Sequence, residues 1–205
     1  MPEDPRLAFE NLDLRHERVE FDRPSLQAYP RRRLLIPIGI LFCYVLQCAW
    51  FARTQSITFD ESIHTSVGQD IWRHHRFDRW IETPPLGRLL LALPIAGQGF
   101  QMEVRDPDGW IYVTGLRPDA TGFIARPRAV NVTLGVALGI LLWIAIRGLF
   151  SESAASFVLV LFALSPQLIS HFTVATVDGI AVLTVFAVAF QLVRWRRNPT
   201  EVRLC

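Results

Sequence analysis

Between Ser153 and Val193 this chain carries one formal charge, at Asp178. A soluble fold has no place for so long an uncharged, apolar stretch. It exceeds the roughly 20 residues that one helix needs to cross a bilayer and is long enough for two crossings. Ser165-Pro166 marks the turn between them, because proline disfavours helix at the residue before it. Two more uncharged runs, Leu34–Ala52 and Ala129–Ile146, each suffice for one crossing. The sequence therefore predicts an all-α membrane protein with about four transmembrane helices, at 34–52, 129–147, 153–168 and 174–193. The first run is not a secretory signal: it starts late, follows an acid-rich segment and has no small-residue cleavage site after it.

Arginine placement gives the expected orientation. Arg31, Arg32 and Arg33 precede the first span, Arg147 closes the second, and Arg194, Arg196 and Arg197 close the fourth. A cytoplasmic N-terminus puts them all on one side. Residues 1–33 are then a polar cytoplasmic arm, 53–128 a long first extracytoplasmic loop, and 194–205 a cytoplasmic tail. All 21 basic residues are arginine, which fits codon bias in a GC-rich genome. The net charge of +2, with no basic run interleaved with aromatics, argues against nucleic acid as a partner. Cys43, Cys48 and Cys205 form no disulfide or metal spacing and read as small hydrophobes.

The loop has its own signals. Thr58-Phe59-Asp60-Glu61 fits a capping box, opening a helix that runs to about Arg73. Ile63, Val67 and Ile71 repeat along one face, so the helix reads as amphipathic and interfacial, with Trp72 and Trp80 at the membrane boundary. A second short helix is expected from Pro84-Pro85 through Leu93, proline being suited to a first turn. Turn residues at Gly97, Gly99, Asp106-Pro107-Asp108-Gly109 and Arg117-Pro118-Asp119 make 95–125 an expected surface loop.

By span parity Asp60, Glu61, the Pro84-Pro85 segment, Arg126, Arg128, His171 and Asp178 all face the extracytoplasmic side. Carboxylates are costly beside hydrocarbon, which makes Asp60-Glu61 the leading candidate for chemistry. Each residue also has a plainer reading. Glu61 can simply cap its helix, Asp60 can favour the helix N-terminus, and Glu82 can be a first-turn acid. His64, one turn after Asp60, can hydrogen-bond it or be interface polarity. Arg126 and Arg128 can anchor headgroups. Asp178, about one turn inside the fourth span, is an intramembrane acid with His171 as a partner.

These motifs, in this order, resemble one family. Phe59-Asp60-Glu61-Ser62, Glu82-Thr83-Pro84-Pro85-Leu86-Gly87, Ala125-Arg126-Pro127-Arg128 and Ser165-Pro166 through His171 to Ala175-Thr176-Val177-Asp178 are similar to the N-terminal part of protein O-mannosyltransferase-like and aminoarabinose-transferase-like membrane glycosyltransferases, which share the GT-C fold. Thr83 departs from the pattern, since relatives often carry His or Lys there, and 95–125 has no counterpart. The resemblance implies inverting transfer of a sugar from a polyprenyl-phosphate donor to a hydroxyl acceptor (lipid, glycan or protein) at the extracytoplasmic face of a bacterial cytoplasmic membrane. It implies Asp60 as the base, with Glu61 beside it as a second catalytic candidate. Arg126 and Arg128 would take the donor phosphate, and His64, Glu82, His171 and Asp178 would support. Hard oxygen ligands suit magnesium or manganese, but the resemblance commits to no cofactor. Two alternatives stand beside it: a non-catalytic or truncated member of the family, and a small four-span transporter or assembly subunit. The second is disfavoured by charges gathered at one face and by the lack of an internal repeat.

Overall fold

The computed structural model describes residues 31–78, 82–97, 103–105, 112–114 and 120–197. The polar arm before Arg31, Trp80, most of the expected 95–125 surface loop, and the tail after Arg197 with Cys205 lie outside the described residues.

The chain runs through α1 (Arg31–Thr54), α2 (Phe59–His74), α3 (Pro85–Ala92) with a 3-10 turn at Leu93–Ile95, a ribbon of β1 (Glu103–Arg105) and β2 (Tyr112–Thr114), α4 (Ala120–Leu149), α5 (Glu152–Leu164), α6 (Pro166–Thr173) and α7 (Asp178–Arg197). The two short strands are antiparallel, with Val104 opposite Val113. Three helical segments are long and apolar enough to cross a membrane: Arg33–Thr54, Gly122–Leu149 and Asp178–Arg196. A fourth crossing exists if α5 and α6 count as one broken span. This is the build of a membrane protein.

Three element boundaries differ from the sequence expectation, each for a physical reason. The expected third span, 153–168, stops at Leu164 and turns by 63° into α6. Ser165 sits in extended backbone before Pro166, and its side chain accepts the Leu168 N–H, so the residue that ends α5 also caps α6. The expected fourth span, 174–193, begins only at Asp178, because the backbone of 174–176 is bonded to other helices, as described below. Asp178 is therefore the first residue of α7, and exposed, rather than a turn inside a span. The second span begins earlier than 129, so α4 takes in Arg126, Pro127 and Arg128.

The helix α4 is the hub, packing on α1, α5, α6 and α7. The main core joins Tyr44 and Cys48 of α1, Leu138 and Trp143 of α4, Ala155, Leu159, Phe162 and Ala163 of α5, and Phe172 of α6. Close approach depends on glycine: a Cβ on Gly135 would run into the Tyr44 hydroxyl and lie 2.9 Å from Phe172 Cγ. An Arg33–Glu152 contact of 3.3 Å places the starts of α1 and α5 at one end of the bundle. Both groups are solvent-accessible, so the pair marks geometry more than it adds stability.

Gly135→Ala is expected to destabilise the fold by about 1–3 kcal/mol through overpacking. Gly148→Ala, where nothing lies within 4 Å of the new Cβ, should be neutral or slightly stabilising. Thermal unfolding of the two detergent-solubilised variants checks the contrast.

Candidate functional site

The site end of the molecule is organised by a carboxylate with no contact with water. The capping box is present: Glu61 Oε2 accepts the Thr58 N–H at 2.9 Å, and Thr58 Oγ1 accepts the Glu61 N–H at 3.4 Å. This turns Glu61 inward, where it is fully buried. Arg128 reaches it from α4 with Nε at 2.7 Å from Oε1 and Nη2 at 2.7 Å from Oε2, a bidentate pair. The Ala175 N–H donates to Oε1 at 2.8 Å. Burial pushes the Glu61 carboxyl up, but the Arg128 pair and the Thr58 and Ala175 N–H groups outweigh it and hold the carboxyl below its usual range.

Arg128 is equally committed. Its Nη1 donates to the carbonyls of Ala52 at 2.5 Å and Gln55 at 3.0 Å, and Nη2 donates to Ser56 at 2.8 Å. The five N–H bonds of a guanidinium are thereby used. Arg128 caps the open carbonyls at the end of α1, where cations are favoured, while neutralising the acid at the start of α2. The arrangement leaves it no donor for a donor phosphate.

The segment after α6 is held from a second side. Asn131 of α4 is fully buried, and its Nδ2 lies 3.1, 2.5 and 3.2 Å from the carbonyls of His171, Val174 and Thr176. Phe172 fills the space left by Gly135 and Gly179. Ala175 packs with Leu91 of α3 and Ile124 of α4. The 174–177 turn is thus fixed at both its N–H and carbonyl sides, and it carries His171 and Asp178 on its flanks.

Asp60 is next to Glu61 in the first turn of α2, yet it is exposed. His64, one turn on, is half-buried, and among the described residues its Nδ1 is buried without a hydrogen-bond partner. Burial and the nearby Arg88 cation pull the His64 imidazole below its ordinary value, while Asp60 and Asp178 push it up. Asp60 of α2, Arg88 of α3 and Asp178 of α7 thus all act on this imidazole through their charges. Asp178 accepts from Thr176 Oγ1 at 3.2 Å and lies 3.4 Å from His171 Nδ1. The other nitrogen of His171 is 2.9 Å from the Gln167 amide. With that amide donating to Nε2, the Nδ1–H faces Asp178.

The packing of α2 on α3 is close. A Cβ on Gly68 would collide with the Arg88 carbonyl oxygen. Gln69 Nε2 and Trp72 Nε1 donate across the gap to Ile95 and Leu89, each at 2.9 Å. The aliphatic face of Ile63, Val67 and Ile71 packs against Leu89. Gly87 likewise lets α3 approach α7 and the turn before it, with Val177 Cγ1 2.9 Å and Ile180 Cγ2 3.0 Å from where a Cβ would stand. Arg88, in that contact, is buried; burial works against its charge and Glu82 supports it.

The structure joins His171 to Asp178, and the charges of Asp60 and Asp178 both act on His64. Glu61 and Arg128 lie beneath them, withdrawn from solvent. Arg126 is exposed on α4, two residues from Arg128 and so on another face of the helix. Glu82 is exposed and acts on Arg88. Among the described residues no three His, Cys, Asp or Glu side chains gather as a metal would require. Sequence reasoning missed Asn131 and Arg88. Each left a signal: Asn131 is a polar amide inside the second uncharged run, and Arg88 is a lone charge between Gly87 and Leu89.

What fold and site define is a helical membrane protein with a buried ion pair beneath an exposed acid–histidine cluster. No protein-family model, curated protein or solved structure matches the chain.

Glu61→Gln leaves Arg128 as a buried cation without a counter-charge and should cost about 3–5 kcal/mol. Asp60→Asn, at an exposed position, should stay within about 0.5 kcal/mol. Chemical or thermal unfolding of the two variants side by side checks this. The pH dependence has a definite sign. The folded Glu61 carboxyl sits below its unfolded value, so its contribution is complete above the ordinary carboxylate range near about 4.3. It is lost as pH falls through the lower folded value. The unfolding temperature of the wild type should drop in that acidic window, and that of Glu61→Gln should drop less.

Proposed function

We propose that this chain is a membrane glycosyltransferase of the GT-C type. It transfers a sugar from a polyprenyl-phosphate donor to a hydroxyl acceptor, with inversion. The observation that carries the proposal is the different fate of two adjacent acids. Glu61 is buried and fully bonded, whereas Asp60 is exposed on the first turn of a helix that Glu61 anchors. A base needs a fixed position and access to its substrate, and Asp60 has both.

In the proposed reaction the acceptor oxygen attacks the anomeric carbon as its proton passes to Asp60. The bond from that carbon to the phosphate oxygen breaks, and its electron pair leaves on the lipid phosphate. A phosphate leaving group needs little protonation, so one carboxylate can serve. The exposed Arg126 offsets the growing charge on the phosphate. Arg128, named with it on sequence grounds, serves instead to hold Glu61. Asp178 and His171 orient the acceptor from the start of α7 and from α6.

In this proposal α2 and α3 lie along the membrane surface, with exposed Phe59, Trp72, Leu86 and Leu93 meeting lipid. The cluster faces the extracytoplasmic side of a bacterial cytoplasmic membrane. Support for that orientation comes from Arg33, Arg147, Arg194 and Arg196, which flank the spans at their other ends.

The test is transfer from radiolabelled polyprenyl-phosphate hexoses and pentoses in vesicles containing the protein. Wild-type protein should transfer label, and Asp60→Asn should lower the rate about 10²- to 10⁴-fold. Arg126→Ala should weaken donor use. Transfer unchanged by Asp60→Asn would overturn the assignment of the base. Absence of transfer with every donor would overturn the reaction and favour a non-catalytic or transport subunit.

A further inference from the structure

Where α6 meets α7, four side chains form a series of contacts with one direction. Gln167 and His171 stand one turn apart on α6, and the Gln167 amide nitrogen lies 2.9 Å from His171 Nε2. An amide nitrogen only donates, so the ring nitrogen facing it must be bare. The other ring nitrogen, Nδ1, lies 3.4 Å from Asp178 Oδ2. A carboxylate only accepts, so a ring with one proton carries it on Nδ1. The reverse amide orientation would leave such a ring presenting a bare Nδ1 to the acid. Thr176 Oγ1 donates to the same carboxylate oxygen at 3.2 Å. Both contacts therefore fall on Oδ2, and among the described residues Oδ1 has no hydrogen bond. The Asp178 side chain is 56% exposed, which leaves Oδ1 open to a ligand.

The backbone under these side chains is fixed. The buried Asn131 amide bonds the carbonyls of His171 and Thr176 at 3.1 and 3.2 Å, and Glu61 accepts the Ala175 N–H between them at 2.8 Å. Gln167 itself is exposed, so it can be replaced without disturbing the core.

We propose that Gln167 is a positioning residue: it keeps the His171 proton on Nδ1, His171 and Thr176 together hold Asp178 Oδ2, and Oδ1 is left to accept a hydroxyl of the sugar acceptor. The acceptor hydroxyl rests on the function proposed above; the placement of the ring proton does not. No proton travels along the series. Its polarity decides the ligand chemistry, because Oδ1 can only accept. The group it takes is a hydrogen-bond donor such as a hydroxyl, and not the lipid phosphate. Contacts of this kind are often long in an empty site and tighten when substrate binds.

The ring proton is located on the full chain in lipid nanodiscs by nitrogen NMR of ring-labelled histidine, at a pH where the ring carries one proton in wild type. The His171 signals are assigned from their loss in His171→Gln. Wild type should show a protonated Nδ1 and a bare Nε2. Gln167→Glu replaces the donor with an acceptor and should put a proton on Nε2. A protonated Nε2 in wild type, or a bare one in Gln167→Glu, overturns the proposal whatever the protein's activity. The role in turnover is read from transfer of radiolabelled polyprenyl-phosphate hexoses and pentoses in vesicles. Gln167→Leu should unfold at the wild-type temperature, leave the donor KM unchanged and lower kcat about 2- to 10-fold, the loss expected for one hydrogen bond. A raised donor KM at unchanged kcat would mean that Oδ1 holds the donor sugar, which overturns the acceptor assignment. Wild-type kinetics in Gln167→Leu would remove Gln167 from the reaction. Absence of transfer with every donor, together with the expected NMR result, means that the glycosyltransferase assignment fails and the placement of the ring proton does not.

Discussion

The Glu61–Arg128 pair ties together four separate parts of the chain. Around one carboxylate and one guanidinium converge the last turn of α1, the first turn of α2, the early part of α4 and the turn before α7. A buried ion pair is not stabilising by default, because desolvating both charges can cost more than their attraction returns. This one offsets that cost through saturation. Both carboxylate oxygens and all the guanidinium N–H groups find partners, and several of those partners are helix-end carbonyls or N–H groups that need bonding in any case. Removing either member would leave a charge and a set of backbone groups stranded together.

From that arrangement follows the division of labour between adjacent acids. Residues 60 and 61 differ by about 100° around a helix of 3.6 residues per turn. Once the capping box and Arg128 fix Glu61 toward the interior, Asp60 must emerge at the surface and His64 must share its side. The same anchor reaches across to Ala175, so the segment bearing His171 and Asp178 is held in register with the segment bearing Asp60. The rigidity of the exposed cluster is thus inherited from the buried pair, and Asn131 supplies the second hold on the same turn.

Much of this was legible in the sequence, for reasons that can be named. Uncharged runs located the crossings because hydrocarbon tolerates so few charges. Thr58 and Glu61 announced the start of α2 because a capping box is a local interaction among four consecutive residues. What stayed hidden was non-local. Nothing in the spacing of Arg126 and Arg128 says which one turns inward; that depends on Pro127 and both arginines lying within α4 and on which face of α4 meets Glu61. Asp178 read as an intramembrane acid because an unbroken apolar run gives no sign that its backbone is bonded elsewhere at 174–176. Asn131 stood out as an amide within an apolar run, yet its three carbonyl partners all come from a segment about forty residues away in the chain.

The break at Ser165 shows why that backbone is taken. A straight helix from Glu152 through Thr173 would rise by about 1.5 Å per residue without interruption, and its far end would follow the line of α5. Ser165 and Pro166 instead turn the chain by 63°, which carries Phe172 sideways into the gap left by Gly135 and Gly179. With Phe172 seated there, the carbonyls of 171–176 come within reach of Asn131, and the Ala175 N–H meets Glu61. Non-helical backbone beside hydrocarbon is tolerable only when its polar groups are satisfied by protein. Asn131 and Glu61 provide that satisfaction. The bend, the two glycines, the amide and the ion pair therefore form one dependent set, and the exposed acid–histidine cluster is built on it.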